Sequence, residues 1–199
     1  MTSTTAPSIH PLLADRWSTR AFDPAAELDP AVLERLLEAA RWSPSASNTQ
    51  PWRLALAVRG TGEHAALLGS LVPGNRRWAD AASALLVVAA VTTAEDGRPL
   101  PWARFDAGQA LGHLTLQAAA EGVAVHTMGG FDADAVRALY ALPQGTDPLV
   151  VVALGRLGAT ADLPEDLRAR ESAPRSRRPL AELLLAPVDE ELAQEPPAA

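Results

Sequence analysis

Two basic segments of this 199-residue chain carry side chains suited to binding a phosphate group. Near the N-terminus, Arg16 and Arg20 lie four residues apart, with the hydroxyl of Ser18 between them. Near the C-terminus, Arg175 and Arg177 belong to a second basic segment. A guanidinium can bind two phosphate oxygens at once, so these residues predict an anion site if the segments meet. The alternative is a set of surface arginines paired with neighbouring aspartates.

A polar stretch between a helical pattern and a strand-like pattern offers a second set of groups. Residues 44–52 read Pro-Ser-Ala-Ser-Asn-Thr-Gln-Pro-Trp. Each proline disfavours helix at the residue before it, so Ser43 and Gln50 are expected in turns or extended backbone. The amides and hydroxyls can satisfy unpaired backbone groups, and they also offer donors and acceptors to a flat polar ligand. An ordinary helix-to-strand loop explains this stretch alone equally well.

Taken together, these segments resemble the nitroreductase family. An arginine-rich segment with a serine, the stretch at 44–52, a Gly-Phe-Asp turn at 130–132 and a late basic pair before Pro-Leu occur in the family's order. The resemblance covers roughly residues 8–184 and implies a flavoenzyme that holds FMN at a homodimer interface. The FMN-binding residues that it implies are Arg16, Trp17, Ser18, Arg20, Pro44, Ser45, Asn48, Gln50, Asn75, Gly129, Gly130, Arg175 and Arg177.

The resemblance assigns these residues to different parts of FMN. The arginines and Ser18 bind the phosphate and the ribityl chain, whereas residues 44–50 and Asn75 contact the flavin ring. A backbone N–H in the Gly129-Gly130 turn points at flavin N5 and O4, and glycine lacks the side chain that would block that close approach. A plain strand-to-helix turn is the alternative reading of the two glycines.

The sequence departs from the best-known members of the family at Trp78. Those members carry a lysine there, near flavin N1 and O2. Because the reduced flavin is anionic at that edge, a cation favours reduction. Arg76 and Arg77 are the candidates to replace the missing charge.

Composition and charge argue against several other classes of function. The net charge of -7 disfavours non-specific binding to nucleic acid. The absence of cysteine excludes disulfides, thiolate nucleophiles and Cys-ligated zinc, and the histidines lack metal-ligand spacing. We find neither a secretory signal nor an apolar run of the ~18–20 residues that a membrane span needs. These features predict a cytoplasmic protein without a metal, membrane or nucleic-acid partner.

Hydrophobic periodicity predicts the elements that would position these residues. Helices are expected over residues 29–41, 61–71, 102–121 and 132–142, and strands over 54–58, 84–91, 123–127 and 149–154. Pro73-Gly74-Asn75 is expected to form a turn. The helix over 102–121 is apolar nearly all round, so it is predicted to be central and buried, with Phe105 in the core.

These elements predict one domain. We expect residues 1–7 to form a flexible arm, residues 8–186 to form a single FMN-binding domain and residues 187–199 to form a disordered tail. The family resemblance implies an α+β fold, in which helices flank a mixed central sheet. It also implies a homodimer whose C-terminal segments are exchanged between subunits.

The resemblance implies an oxidoreductase that passes hydride or electrons from NAD(P)H to a nitroaromatic, a quinone or a similar small acceptor. Since the chain has no Gly-x-Gly-x-x-Gly motif, NADH or NADPH is expected to bind transiently over the flavin and to leave before the acceptor enters. No catalytic side chain is predicted, because flavin N5 carries the chemistry. The alternatives are an FMN-dependent dehydrogenase or other specialised reductase on the same scaffold, a non-catalytic flavin-binding dimer, and a helical adaptor whose arginines only form salt bridges.

Overall fold

A computed structural model describes residues 9–185. The arm and the tail predicted at the two termini lie outside the described residues. Within that range the helices are α1 (Pro11–Ala14), α2 (Pro30–Arg41), α3 (Gly62–Ser70), α4 (Pro73–Ala79), α5 (Ala103–Ala120), α6 (Ala133–Leu139) and α7 (Glu165–Glu171). The strands are β1 (Trp52–Val58), β2 (Ala84–Val91), β3 (Ala124–Met128) and β4 (Thr146–Gly155). Single 3₁₀ turns span Ala46–Asn48, Thr160–Asp162 and Leu180–Glu182.

The four strands form one sheet in the order β1-β2-β4-β3. Each neighbouring pair is antiparallel, and Val87 in β2 lies between Ala55 of β1 and Val151 of β4. The predicted α+β fold class is confirmed. The parallel pairing that a mixed sheet requires does not occur among the strands of residues 9–185.

Helices cover both faces of the sheet. Leu86 and Val88 of β2 pack in a core with α2 and α5, whereas Leu85 and Val87 pack in a second core with α3, α4 and α6. Antiparallel sheets often leave one face to water, but here both faces are buried. This burial explains why β2 is a continuous apolar run without alternation.

The predicted helix before the polar stretch begins as expected. The Asp29 carboxylate accepts the N–H of Ala31, and Pro30 occupies the first helical position, where its missing N–H removes no bond. α2 ends at Arg41, so the polar stretch joins the end of α2 to the start of β1. The predicted stop at Gly122 is also confirmed, because its φ is +66° and it follows Glu121, the C-cap residue of α5.

The predicted turn at Pro73-Gly74-Asn75 is wrong. These residues form the first turn of α4, because Pro73 takes the first helical position and the N–H of Asn75 bonds the carbonyl of Val72. Proline and glycine mark turns, but proline is equally suited to a helix start, and here the second role applies. Asn75 therefore projects from a helix and not from a loop.

The prediction that α5 is buried all round is also wrong for the single chain. Its small residues Ala107, Ala110 and Ala118 are fully buried, but Phe105 is 64% exposed and Trp102, just before the helix, is 62% exposed. The apolar composition that predicted burial cannot say which side another element covers. Neither α5 nor any other helix in residues 9–185 combines the length and the apolarity of a membrane span.

Candidate functional site

The N-terminal basic segment is anchored by its central threonine. Thr19 is 1% exposed, and its carbonyl lies 2.7 Å from Nδ1 of His126 in β3. A carbonyl can only accept, so Nδ1 donates the proton of this bond. Burial lowers the pKa of His126, against the opposing effect of the Thr19 carbonyl, and favours the neutral ring. Arg16 and Arg20, on either side of Thr19, are half-buried.

The predicted phosphate-binding arginines are not ion-paired within residues 9–185. No described carboxylate lies within 4.0 Å of the guanidinium of Arg16, Arg20, Arg175 or Arg177, and the neighbouring aspartates Asp15 and Asp23 therefore do not pair with them. Other arginines do have such partners: Arg35 pairs with Glu121 at 2.6 Å. The guanidinium groups of the basic segment are thus free of ion pairs within the described residues.

A cavity opens beside this segment. It has a volume of about 540 Å³, and Arg16 and Ser18 form one side. Gly108 and Gly112 of α5 and Thr127 of β3 also line it. Two glycines on one helix face leave room that side chains would otherwise fill, so Arg16 borders a space large enough for a polar ligand.

The C-terminal tail meets the same segment within one chain. Arg175 donates from Nη1 to the carbonyl of Arg16 at 2.9 Å and from Nη2 to the carbonyl of Ala14 at 2.5 Å. Arg177 donates to the adjacent carbonyl of Ser176 at 2.7 Å. The two basic segments predicted from the sequence are therefore neighbours in space.

Glu171, at the end of α7, also contacts this segment and was missed by the sequence analysis. Its carboxylate accepts the indole N–H of Trp17 at 2.8 Å and the backbone N–H of Arg20 at 3.0 Å. Burial alone would raise the pKa of Glu171, but hydrogen bonds from Thr19, Trp17 and Arg20 together lower it below its ordinary value. No local pattern marks one glutamate in a polar helix as the partner of a segment 151 residues away.

The polar stretch at 44–52 forms a compact loop with unusual backbone. Ser47, Asn48 and Gln50 have φ values of 50°, 55° and 45°, a region that costs non-glycine residues free energy. The Ser45 hydroxyl accepts the N–H of Gln50 at 3.0 Å, and the Gln50 amide donates to Asn48 Oδ1 at 3.1 Å. The predicted contact residues thus bond to one another.

Asp106 of α5 connects this loop to the rest of the fold. It is 3% exposed and accepts the N–H of Ala46 at 3.1 Å. The sequence analysis did not select Asp106, although an acid within an apolar helix was the available signal. Pro44, Asn48 and Gln50 are exposed at the surface of the loop.

A third group joins the predicted residues Asn75 and Gly130. The Asn75 side-chain amide donates to the Gly130 carbonyl at 3.1 Å, and the N–H of Val72 donates to the same oxygen at 3.1 Å. A Cβ at Gly130 would lie 2.8 Å from Val72 Cγ2, so this glycine is required for the close approach. Gly129 has open space around it.

Trp78, the departure from the family pattern, is a core residue. It is 3% exposed, stacks on Phe22 with ring centroids 6.1 Å apart and contacts the His126 ring at 4.4 Å. Arg76 donates to backbone carbonyls at the end of α3, and Arg77 pairs with Asp166 at 2.8 Å. Both candidate replacements for the missing lysine are therefore engaged elsewhere.

The hydrogen bonds join the predicted site residues into three groups: the basic segment with the tail, the loop at 44–51, and Asn75 with Gly130. Within residues 9–185, no hydrogen bond joins the loop to either of the other groups. In the same part of the chain, no three His, Asp or Glu side chains are grouped so that they could hold a metal ion.

Comparison with known proteins gives consistent matches. The family model described as the nitroreductase family matches residues 13–71 and 61–156. A solved structure described as an oxidoreductase containing FMN is 36% identical, covers 93% of this chain and 96% of its own, and superposes with a TM-score of 0.86. An uncharacterized 15.4 kDa protein of Mycolicibacterium smegmatis is 42% identical over 117 residues, which are 59% of this chain and 78% of the relative.

A more distant structure shares the fold. It is a nitroreductase family protein from Clostridium difficile 630, 24% identical, and the alignment covers 87% of this chain and 94% of the other with a TM-score of 0.67. At this identity the likeness extends to the fold alone.

Proposed function

This chain belongs to the nitroreductase family, and on that premise we propose that it is an FMN-dependent oxidoreductase. The observation that carries the proposal is the meeting of Arg16, Arg20 and Arg175 at one segment, where Arg16 lines a cavity and none of the three guanidinium groups pairs with a described carboxylate, in a chain of net charge -7. The relative that contains FMN is similar over nearly its whole length. Both findings favour the same cofactor.

The phosphate end of FMN fits the basic segment. Arg16 and Arg20 would supply the positive charge, and the hydroxyl of Ser18 would donate a further hydrogen bond at the mouth of the cavity. The charge of an arginine is most available to such an anion where no acidic side chain pairs with its guanidinium group. This condition is met at the basic segment and not at Arg35 or Arg77, which are paired.

The flavin ring fits the remaining two groups. Asn75 and the Gly129-Gly130 turn would hold the polar edge of the ring, since Asn75 is fixed on α4 and the backbone at Gly130 is free of a side chain. Ser45, Asn48 and Gln50 would supply further donors and acceptors from the loop. Because Arg76 bonds backbone carbonyls at the end of α3 and Arg77 pairs with Asp166, we expect the reduced, anionic flavin to be less stabilised than in members that carry a lysine in place of Trp78.

When bound, FMN would accept hydride from NADH or NADPH and pass it to a nitroaromatic, a quinone or a similar acceptor. The protein residues would bind and orient the flavin, and the exposed surfaces of Gly129, Asn48 and Gln50 would leave its reacting face open. Since the chain has no separate dinucleotide motif, reductant and acceptor would take turns in one pocket. Parallel initial-rate lines at several fixed acceptor concentrations are the expected kinetic signature.

A second copy of the chain is the partner that we propose for the exposed apolar side chains. Phe105 is 64% exposed, Leu180 is 62% exposed and Leu183 is 60% exposed. Obligate interfaces bury more than about 2,000 Å² in total, and such an area would cover these residues. It would also bring the loop of one subunit towards the basic segment of the other.

The test is the visible spectrum of the purified full-length protein, with and without added FMN. We expect flavin absorption bands, bleaching by NADH or NADPH without oxygen, recovery on adding an acceptor, and sedimentation as a dimer. Arg20→Ala should weaken FMN binding at least tenfold, because one charge-assisted hydrogen bond contributes about 1.5–3 kcal/mol. Arg35→Ala, which removes an arginine paired with Glu121, is the control.

The outcomes separate the alternatives. A protein that takes up no FMN is not a flavoenzyme. One that binds FMN but is reduced by neither nucleotide is a passive binder or a dehydrogenase with another reductant.

A further inference from the structure

We propose that Glu171 and Arg175 are positioning residues, which hold the Arg16–Arg20 segment in its anion-binding shape without touching the anion. The inference rests on the proposed function, because the anion is the phosphate of FMN. It assigns Glu171 a role that no motif suggested. It also gives the two tail arginines, which look alike in the sequence, different roles.

Glu171 and Arg175 fasten the tail to the segment by complementary bonds. The Glu171 carboxylate accepts the indole N–H of Trp17 at 2.8 Å and the backbone N–H of Arg20 at 3.0 Å. The Arg175 guanidinium donates to the carbonyls of Arg16 and Ala14. An acid thus satisfies donors of the segment while a base satisfies its acceptors, so the backbone is fixed at both ends.

The geometry separates Arg175 from Arg177. Both terminal nitrogens of Arg175 are bonded to carbonyls, which leaves this guanidinium poorly placed to turn towards a phosphate as well. Arg177 bonds only its neighbour, the carbonyl of Ser176, within the described residues. Arg177 is therefore the tail arginine that can contact the anion.

Glu171 presents two opposing effects. Its charge repels a phosphate nearby, whereas its hydrogen bonds keep Trp17 and Arg20 in place. The low pKa of Glu171 means that the carboxylate is charged at neutral pH, so both effects operate there. Since its two acceptor oxygens are occupied by donors of the segment, we assign the larger effect to positioning.

The experiment compares the affinity of the full-length protein for FMN and for riboflavin, which lacks the phosphate, by quenching of flavin fluorescence. Glu171→Ala should weaken FMN binding roughly tenfold and leave riboflavin binding unchanged. Glu171→Gln keeps one acceptor oxygen but turns an amide NH2 towards the second donor, so it should weaken FMN binding, though less than Glu171→Ala does. Arg170→Ala, which removes the exposed arginine next to Glu171, is the matched control and should change neither affinity.

Charge-conserving variants separate positioning from contact. Lysine keeps the charge but cannot bridge two carbonyls with a rigid fork. Arg175→Lys should therefore weaken FMN binding roughly tenfold, whereas Arg177→Lys keeps the charge that attracts the phosphate and should weaken FMN binding less. The reverse order would mean that Arg175 contacts the phosphate, and would overturn the inference.

Other results overturn either this inference or the proposed function, and the two are distinguishable. If the unmodified protein does not prefer FMN to riboflavin, the proposed phosphate site is wrong. If it does, but Glu171→Ala binds FMN equally well or more tightly, Glu171 is only a competing charge. If Glu171→Ala loses riboflavin as well, its role is general stability. Should Glu171→Ala fail to fold, the comparison of Arg175→Lys with Arg177→Lys still tests the inference.

Discussion

The loop at 44–51 and the Arg16–Arg20 segment are both predicted to contact FMN, but they are held in place by different kinds of contact. In the loop, the hydroxyl of Ser45 and the amide of Gln50 form bonds within the loop itself, and Asp106 adds one contact from outside. The Arg16–Arg20 segment is held by His126, Glu171 and Arg175, all of them distant in the sequence. The conformation of the loop is thus stabilised mainly by hydrogen bonds within the loop, whereas that of the Arg16–Arg20 segment is stabilised by residues elsewhere in the fold.

The difference shows where each region is vulnerable. Three non-glycine residues of the loop have left-handed backbone, so the conformation of the loop is locally strained. The segment has no positive φ, so it depends on its partners and not on its own backbone. We therefore expect substitutions of distant partners to damage the segment most, and substitutions within the loop to act through strain.

The largest effect is expected at His126, which supports the segment from β3. His126→Ala removes a buried ring packed on Trp78 and leaves the Thr19 carbonyl without its donor. The free energy of unfolding should fall by roughly 2–5 kcal/mol, and FMN binding should weaken. Chemical denaturation measures the first effect and flavin fluorescence the second.

His126→Phe separates packing from the hydrogen bond. Phenylalanine keeps a ring against Trp78 but cannot donate to Thr19, so a loss of about 1–3 kcal/mol should remain. If this variant were as stable as the unmodified protein and bound FMN equally well, the bond to Thr19 would not hold the segment.

The same difference explains what could be predicted from the sequence. The start of α2 at Asp29-Pro30 and the buried strand β2 depend on neighbouring residues, and both predictions are confirmed. The contacts of Arg20 with Glu171 and of Arg16 with Arg175 span 151 and 159 residues, and no local pattern encodes them. The loop was found by its amides and prolines, but its left-handed backbone was not.

Two errors have the same origin. Pro73 is compatible with a turn and with a helix start, and in the fold it begins α4, where the Asn75 amide donates to the distant Gly130 carbonyl. Phe105 lies on α5, which has apolar residues on every side, so hydrophobic periodicity could not predict that the side carrying Phe105 is exposed. Where the local sequence pattern is compatible with two structures, tertiary contacts determine which one forms.

A smaller effect is expected at Gly130, where α4 and the turn after β3 meet. Gly130→Ala would place a Cβ 2.8 Å from Val72 Cγ2 and 3.1 Å from the Asn75 amide. Overpacking of this kind costs about 1–3 kcal/mol, and it should also displace Asn75 from the Gly130 carbonyl. Thermal unfolding and flavin binding are the measurements.

Gly129→Ala is the matched control for this substitution. Its Cβ meets nothing within 4 Å, so the stability should be nearly unchanged. Equal losses in the two variants would show that the turn is sensitive to any side chain, and that the close approach at Gly130 is not the cause.

The smallest effect, and one of opposite sign, is expected within the loop itself. Ser47 is exposed, has φ 50° and ψ 27°, and its side chain forms no described hydrogen bond. A left-handed backbone costs an L-residue about 1–2 kcal/mol, whereas glycine adopts it freely but loses about 0.5–1 kcal/mol through greater freedom of the unfolded chain. Ser47→Gly should therefore stabilise the protein by up to about 1 kcal/mol.

Thr49→Gly gives the comparison for Ser47, because Thr49 is two residues away and has φ -69°. There is no strain to release at Thr49, so glycine should destabilise by about 0.5–1 kcal/mol. Opposite signs in urea denaturation would place the strain in the left-handed residues of the loop. If both variants lost stability, the backbone at Ser47 would be unstrained. The conformation of the loop would then depend on its contact with Asp106, just as the conformation of the segment depends on Glu171.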